Sequence, residues 1–298
     1  MLKPAIYIIS GLGLLAACKS PTSREEMVQQ ALDTPMVKTH KLIQKWETDT
    51  LLKTPESVLY DSKNQVLYVA NMDGDAWAKD GKGSISKVGL DGTILKAEWV
   101  KGLNAPKGMG LWNGRLFVAD LTQIAVINIA TGLIEGAINV TGSKGLNDLS
   151  IDASGVIYVT DSQGKRLYRV ENNSTTLFLD SLKGPNGVLV RGADLYILDA
   201  GAMYKVNKNK SLSLITDGLE GGADGIENVK GDEFILSCWA GTIWYLNPNG
   251  TKEMVFDGKS LGKNTADIGL DPVSKMVYVP TFFKNSVIAF EIGEISGQ

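Results

Sequence analysis

The sequence predicts an all-β fold, a six-bladed β-propeller closed by an N-terminal strand that completes the last blade. Three observations predict it. A short motif opens six successive units: Thr54-Pro55-Glu56-Ser57, Ala105-Pro106-Lys107-Gly108, Leu146-Asn147-Asp148-Leu149, Gly184-Pro185-Asn186-Gly187, Ala223-Asp224-Gly225 and Ala266-Asp267-Ile268. Aligned on these openings, one position reads Glu56, Lys107, Asp148, Asn186, Asp224, Asp267, at spacings of 51, 41, 38, 38 and 43 residues. A period of about 40 residues with several strands per repeat is the signature of a propeller. The third observation is a mismatch at the ends. Units one to five have room for four strands, unit six stops after three, and a spare strand precedes unit one.

The elements follow in chain order. Residues 1–17 read as a lipoprotein signal peptide. Lys3 supplies a positive start, and Pro4 to Leu15 is apolar but too short to span a bilayer. The run Leu15-Ala16-Ala17-Cys18 resembles the bacterial lipoprotein signal, which implies cleavage before Cys18 and lipidation of that residue. Several acyl chains on one residue give stable anchoring, since each buried methylene adds about 0.8 kcal/mol. Lys19 follows the cysteine, which by analogy favours the outer membrane. The expected location is therefore a lipid anchor at a bacterial membrane, with the protein facing the periplasm or the exterior. Residues 18–39 are polar and lack alternation, as a tether requires. The propeller is expected over residues 40–298.

Within it, His40 to Trp46 is the spare strand, whose pairing with Val287–Phe290 would remove two open sheet edges. Each unit then repeats a buried second strand, such as Leu67-Tyr68-Val69-Ala70-Asn71 and Leu195-Tyr196-Ile197-Leu198-Asp199. Branched and aromatic residues dominate these runs, as strands buried on both faces require. Asp120, Asp161 and Asp199 end second strands, where aspartate caps turn amides. With Cys18 lipidated, Cys238 has no disulfide partner, and its apolar surroundings read as a buried structural thiol. Trp77, Trp239, Phe282 and Phe283 fall in loops, at positions that either line a pocket mouth or pack between blades.

Composition excludes some functions. Hydrophobic residues make up 44% of the chain and charged residues 21%, and the formal net charge is −3 with no basic run, so no nucleic-acid partner is expected. A monomer is expected. The aligned positions converge on one axis in a propeller. An oxygen-rich ring without cysteine or histidine suits a hard divalent cation such as calcium, which takes 6–8 oxygens. Without a cation, the same polar residues would line a water-filled channel.

The motifs resemble the SMP-30/gluconolactonase (LRE-like) family, over roughly residues 50–290. Glu56-Ser57-Val58-Leu59-Tyr60 resembles its first-blade motif, Asn147-Asp148 its Asn-Asp motif, Pro185-Asn186-Gly187-Val188 its Asn-Gly motif and Asp224-Gly225-Ile226 its Asp-Gly motif. The resemblance implies a six-bladed propeller that hydrolyses lactones or esters with a divalent metal. Calcium is the leading expectation, with zinc, manganese and magnesium the other candidates. It implies Glu56, Asn186 and Asp224 as metal ligands, Asp224 also as general base, and Asn147 as a substrate contact. Asp148 and Asp267 read either as alternative bases or as supporting groups. Two departures stand out. Gly145 occupies the place where the family often carries a substrate-gripping arginine. Lys107 brings a cation to the ring, with three roles open: pointing outward, pairing with a ring carboxylate, or binding an anionic group of the substrate. Paraoxonases, more distant, use histidines near calcium, whereas the single histidine here is His40. NHL-type propellers share features such as Asp161-Ser162-Gln163-Gly164, and they leave a second reading: a non-enzymatic propeller that binds a ligand or protein around a structural ion.

Overall fold

A computed structural model describes residues 39–295. The signal segment, Cys18 and all but the last residue of the tether lie outside the described residues. The described chain forms six four-stranded antiparallel sheets, and its helical content is two single-turn 3₁₀ segments, Lys259–Leu261 and Phe282–Lys284.

The innermost strands are Pro55–Asp61, Pro106–Trp112, Leu146–Ile151, Pro185–Arg191, Ala223–Lys230 and Gly269–Asp271. Each pairs with the buried second strand of its unit, for example Val66–Asn71 in blade 1 and Glu233–Cys238 in blade 5. Each of the six interfaces between neighbouring blades has its own apolar cluster. Tyr68 and Ile85 meet Met109 and Val118 between blades 1 and 2, and Val58 and Val69 meet Tyr278 and Ala289 where blade 1 closes on blade 6. Stability is thus spread around the ring, as expected when each repeat buries its faces against its neighbours.

The ring closes as the sequence predicts. His40–Glu47 is the outermost strand of blade 6 and pairs antiparallel with Val287–Glu294, from His40↔Glu294 to Glu47↔Ile288. Its ends are fastened to other blades. Trp46 donates from Nε1 to the Leu90 carbonyl at 2.8 Å and lies against Gly92, whose φ of +88° and lack of a Cβ leave room for the indole. At the other end, buried Glu253 of blade 5 accepts from the Thr39 and His40 amides at 2.6 and 2.9 Å, from the Thr39 hydroxyl at 2.8 Å and from Asn247 Nδ2 at 3.0 Å. The His40 ring stacks on Tyr245 at 3.7 Å.

Of the strand-ending aspartates, Asp161 alone caps the turn that follows it, through the Gly164 amide, and all three reach amides ahead of the inner strand. Asp120 accepts from the amides of Asn104 and Ala105, Asp161 from Lys144 and Gly145, and Asp199 from Lys183 and Gly184. These amides belong to the loop entering the inner strand. The aspartates therefore fix where each motif residue emerges at the hub. Cys238 is fully buried and free, and burial pushes its thiol pKa upward, as expected of a packing residue.

Candidate metal centre and active site

A β-bulge places the hub residues. In blade 2, Pro106 pairs with Asp120 and Met109 with Val118, so Lys107 and Gly108 share one partner position. The same irregularity recurs at Leu146/Leu149, Pro185/Val188, Ala223/Ile226 and Pro55/Ser57. An extra residue in one strand re-aims side chains, which is why bulges are common beside functional sites.

The bulge corrects the sequence alignment. The register places Glu56, Lys107, Asn147, Asn186 and Asp224 on one level. Blade 6 contributes Ala266 there, since Gly269↔Tyr278 matches Leu59↔Tyr68 of blade 1. Asp148 and Asp267 lie one residue deeper, level with Ser57, Gly108, Gly187 and Gly225. A parallel bridge between Ser57 and Asp267 marks that level. Glycine is required here: a Cβ on Gly108 would meet Asp148 Oδ1 at 2.3 Å, and one on Gly225 would meet Asp267 Oδ1 at 2.8 Å.

The deeper carboxylates are held by the protein itself. Asp148 accepts from the Leu149 amide at 2.6 Å and the Val188 amide at 2.7 Å. Asp267 accepts from Ser57 Oγ at 2.6 Å. Burial raises the pKa of Asp267 to about 7 against the pull of that hydrogen bond, and burial followed by repulsion from Asp267 raises Asp148 well above the usual range. Glu227, absent from the sequence alignment, lies farther down the channel, half-buried, and burial followed by Asp267 raises it to about 8. The channel these groups line has a volume of about 280 Å³.

The upper level is different. Glu56 is 5% exposed, and its Oε2 has no hydrogen-bond partner. Burial pushes its pKa up to about 8, with Lys107 lowering it and Asp267 raising it further. Asn186 donates from Nδ2 to Asp224 Oδ1 at 2.9 Å, which leaves its own buried Oδ1 unpaired. Asp224 is 3% exposed and is raised well above the carboxylate range by burial, then by Glu56 and Asp267, against the pull of Asn186 and Lys107. Buried polar atoms in folded proteins nearly always have partners, so two orphan oxygens in one ring call for an explanation. A bound divalent cation would supply one, by meeting both oxygens and offsetting the charge of Glu56 and Asp224. Among the described residues no three His, Cys, Asp or Glu side chains cluster as a metal site, so an all-acidic cage is absent and the third donor of such a set would be the Asn186 amide oxygen.

Lys107 belongs to this level and is 2% exposed, so the outward-pointing role is excluded. Nor does it pair directly with a ring carboxylate. Its ammonium contacts Met72 Sδ at 2.8 Å and lies 4.8 Å from the centre of the Trp77 ring. Burial lowers its pKa, against attraction from Glu56, Asp224, Asp120 and Asp75.

Asn147 faces a cleft beside the hub. Its Nδ2 donates to Ser162 Oγ at 3.1 Å. Together with Asn186 it lines a cavity of about 570 Å³, whose wall is rich in glycine (Gly184, Gly201, Gly218, Gly221 and Gly222). The aromatic loop residues gather at this end of the propeller. Trp239 packs edge-on to Phe282 at 5.5 Å and to Phe283 at 6.0 Å, while Phe282 packs with Met72 and Ala266. Trp77 reaches from blade 1 to blade 3, where a Cβ on Gly145 would meet its ring at 2.6 Å. The indole thus fills the space of a side chain at Gly145. The sequence signal for this was the length of unit one, whose surplus is the loop at residues 72–82.

No protein-family model and no curated protein sequence matches the chain. Solved structures do. A streptogramin B lyase aligns at 13% identity with a TM-score of 0.64, over 86% of this chain and 98% of the other. A candidate gluconolactonase aligns at 15% identity with a TM-score of 0.64, over 89% and 96%. A gluconolactonase from Xanthomonas campestris aligns at 16% identity with a TM-score of 0.62, over 81% and 87%. These likenesses establish the propeller fold.

Proposed function

We propose that this chain is a divalent-metal-dependent hydrolase of a lactone or ester. The observation that carries the reading is the pair of orphan oxygens, Glu56 Oε2 and Asn186 Oδ1, beside the buried carboxylate of Asp224. Glu56, Asn186 and Asp224 would hold the metal, and the oxygen-only donor set favours calcium. The likeness in fold to gluconolactonases supports the same substrate class. When bound, the metal supplies Lewis acidity that polarises a carbonyl and stabilises developing negative charge.

The chain's own residues account for the rest. Asn186 holds Asp224 Oδ1 through its amide, which orients that carboxylate and leaves Oδ2 free to take a proton from water. Burial raises the pKa of Asp224, and a bound divalent cation would lower it again and keep the carboxylate ionised for that task. Asp148 and Asp267 sit a level deeper with protein partners, and they serve as supports. Asn147, in the glycine-rich cleft, would orient the substrate. His40 stacks on Tyr245 in the closing strand, so acid–base work at the hub falls to carboxylates. The outer-membrane anchor through Cys18 remains part of the proposal, placing the reaction in the periplasm or at the cell exterior.

The test is lactone hydrolysis across a panel with calcium, manganese and zinc, before and after EDTA. Metal-dependent turnover supports the reading. Folded, metal-binding protein with no turnover would instead favour a propeller that binds a ligand around a structural ion.

A further inference from the structure

Lys107 is the one hub group whose surroundings neither the fold nor the proposed metal explains. An ammonium has three donors. Here a thioether sulfur takes one, and an aromatic face lies nearby. Both are weak partners for a side chain that is 2% exposed. Among the described residues no carboxylate forms an ion pair with it, and the strongest attractions on it come from Glu56 and Asp224. The Met72 that its ammonium touches belongs to a small apolar cluster with Ala105, Ala266 and Phe282.

Charge gives this placement a consequence. Glu56 and Asp224 bring two negative charges to the upper level, and a divalent cation would balance them. Lys107 then adds to the upper level one positive charge that no carboxylate there pairs directly, while Asp148 and Asp267, one residue deeper, are held by protein donors. Such a site is completed by a monoanion. Trp77 occupies the space where a longer side chain would approach the ligand from blade 3, and the cationic contact comes from blade 2 instead.

Resting on the metal-hydrolase reading above, we infer that Lys107 is a carboxylate seat, and that the ligand of this hub is an anionic acyl compound. A neutral sugar lactone leaves the seat unfilled. A charge-assisted hydrogen bond in a desolvated site is worth about tenfold or more in affinity.

The carboxylate has two sources, one already present on the substrate and one formed when the ring opens. Two arms separate them. Calorimetry of the calcium-loaded full chain at fixed ionic strength uses 4-hydroxybutyrate, an opened lactone, and 1,4-butanediol, its neutral counterpart. The seat predicts saturable binding of the anion, at least tenfold weaker in Lys107→Met, and at least tenfold weaker binding of the diol. Equal binding of the two probes, or unchanged anion binding in a folded Lys107→Met, overturns it. The kinetic arm compares γ-butyrolactone with the same ring bearing a carboxylate. A KM at least tenfold lower for the carboxylated ring, lost in Lys107→Met, assigns the seat to the substrate; equal KM values assign it to the product. Anion binding without turnover of any lactone would retain the seat and remove the hydrolase reading, whereas turnover with no Lys107-dependent binding would do the reverse.

Discussion

Glu56 at the hub and Glu253 under the closing strand are both buried glutamates, 5% and 3% exposed, and their surroundings are opposite. Glu253 gathers hydrogen bonds from Thr39, His40 and Asn247. Burial is the largest single influence on it and acts upward, yet the hydrogen bonds together bring its pKa down to about 2. Glu56 has an oxygen with no partner and a pKa raised to about 8. One carboxylate is satisfied by the fold and holds the fold together. The other has an oxygen that no protein donor meets, the feature on which the proposed cation site rests. Burial alone does not separate structure from function; the count of donors does.

The largest test of the contrast removes the satisfied side. Deleting residues 40–48 takes away the fourth strand of blade 6 and every contact Glu253 makes to it. The expected outcome is loss of cooperative unfolding in circular dichroism, and an unchanged melting temperature would refute closure by that strand. Next in size is the hub's chemistry. Asp224→Asn is expected to keep the fold while lowering metal-dependent lactone turnover by about 100-fold or more.

Smaller is the effect of Glu253→Gln, expected to cost about 2–3 kcal/mol, because a charged acceptor of several buried donors is replaced by an amide. Its pH dependence follows from the depressed pKa. The stability supplied by Glu253 is fully present above the unfolded value of about 4.5 and is lost as pH falls toward 2. Denaturation midpoints of native and variant chains should therefore converge between pH 4.5 and 2. A constant gap over that window would contradict the assignment. Smallest of all is the effect of Glu56→Gln on the metal-free protein. Removing a buried, unpartnered carboxylate is expected to leave the melting temperature unchanged or slightly higher, in contrast to Glu253→Gln. A fall as large as that of Glu253→Gln would mean that Glu56 is structural.

The repeat made most of the fold legible. Second strands such as Leu195–Asp199 announce themselves by branched and aromatic residues, and the missing fourth strand of unit six pointed directly to His40–Trp46. That Glu56, Asn186 and Asp224 share one level was legible for the same reason, since a propeller carries equivalent positions to one axis. The division of the ring into two levels was not. A β-bulge changes register by one residue and leaves no composition mark, so Asp148 aligned where Asn147 belongs. Trp77 was out of reach because its partners, Lys107 and Gly145, lie in other blades and are met only through a loop crossing the hub mouth. Glu253 escaped for a related reason: Thr39 and His40, which it holds, lie more than 200 residues away in sequence.

The central claim is that the orphan oxygens of the hub belong to a metal site, and calcium-binding calorimetry of the native chain against Glu56→Gln tests it most directly. The account predicts one divalent ion per native chain, a melting temperature raised by about 5 °C or more at saturation, and affinity at least tenfold weaker in Glu56→Gln. A native chain that binds no divalent ion, or a Glu56→Gln chain that binds it equally well, would contradict the account.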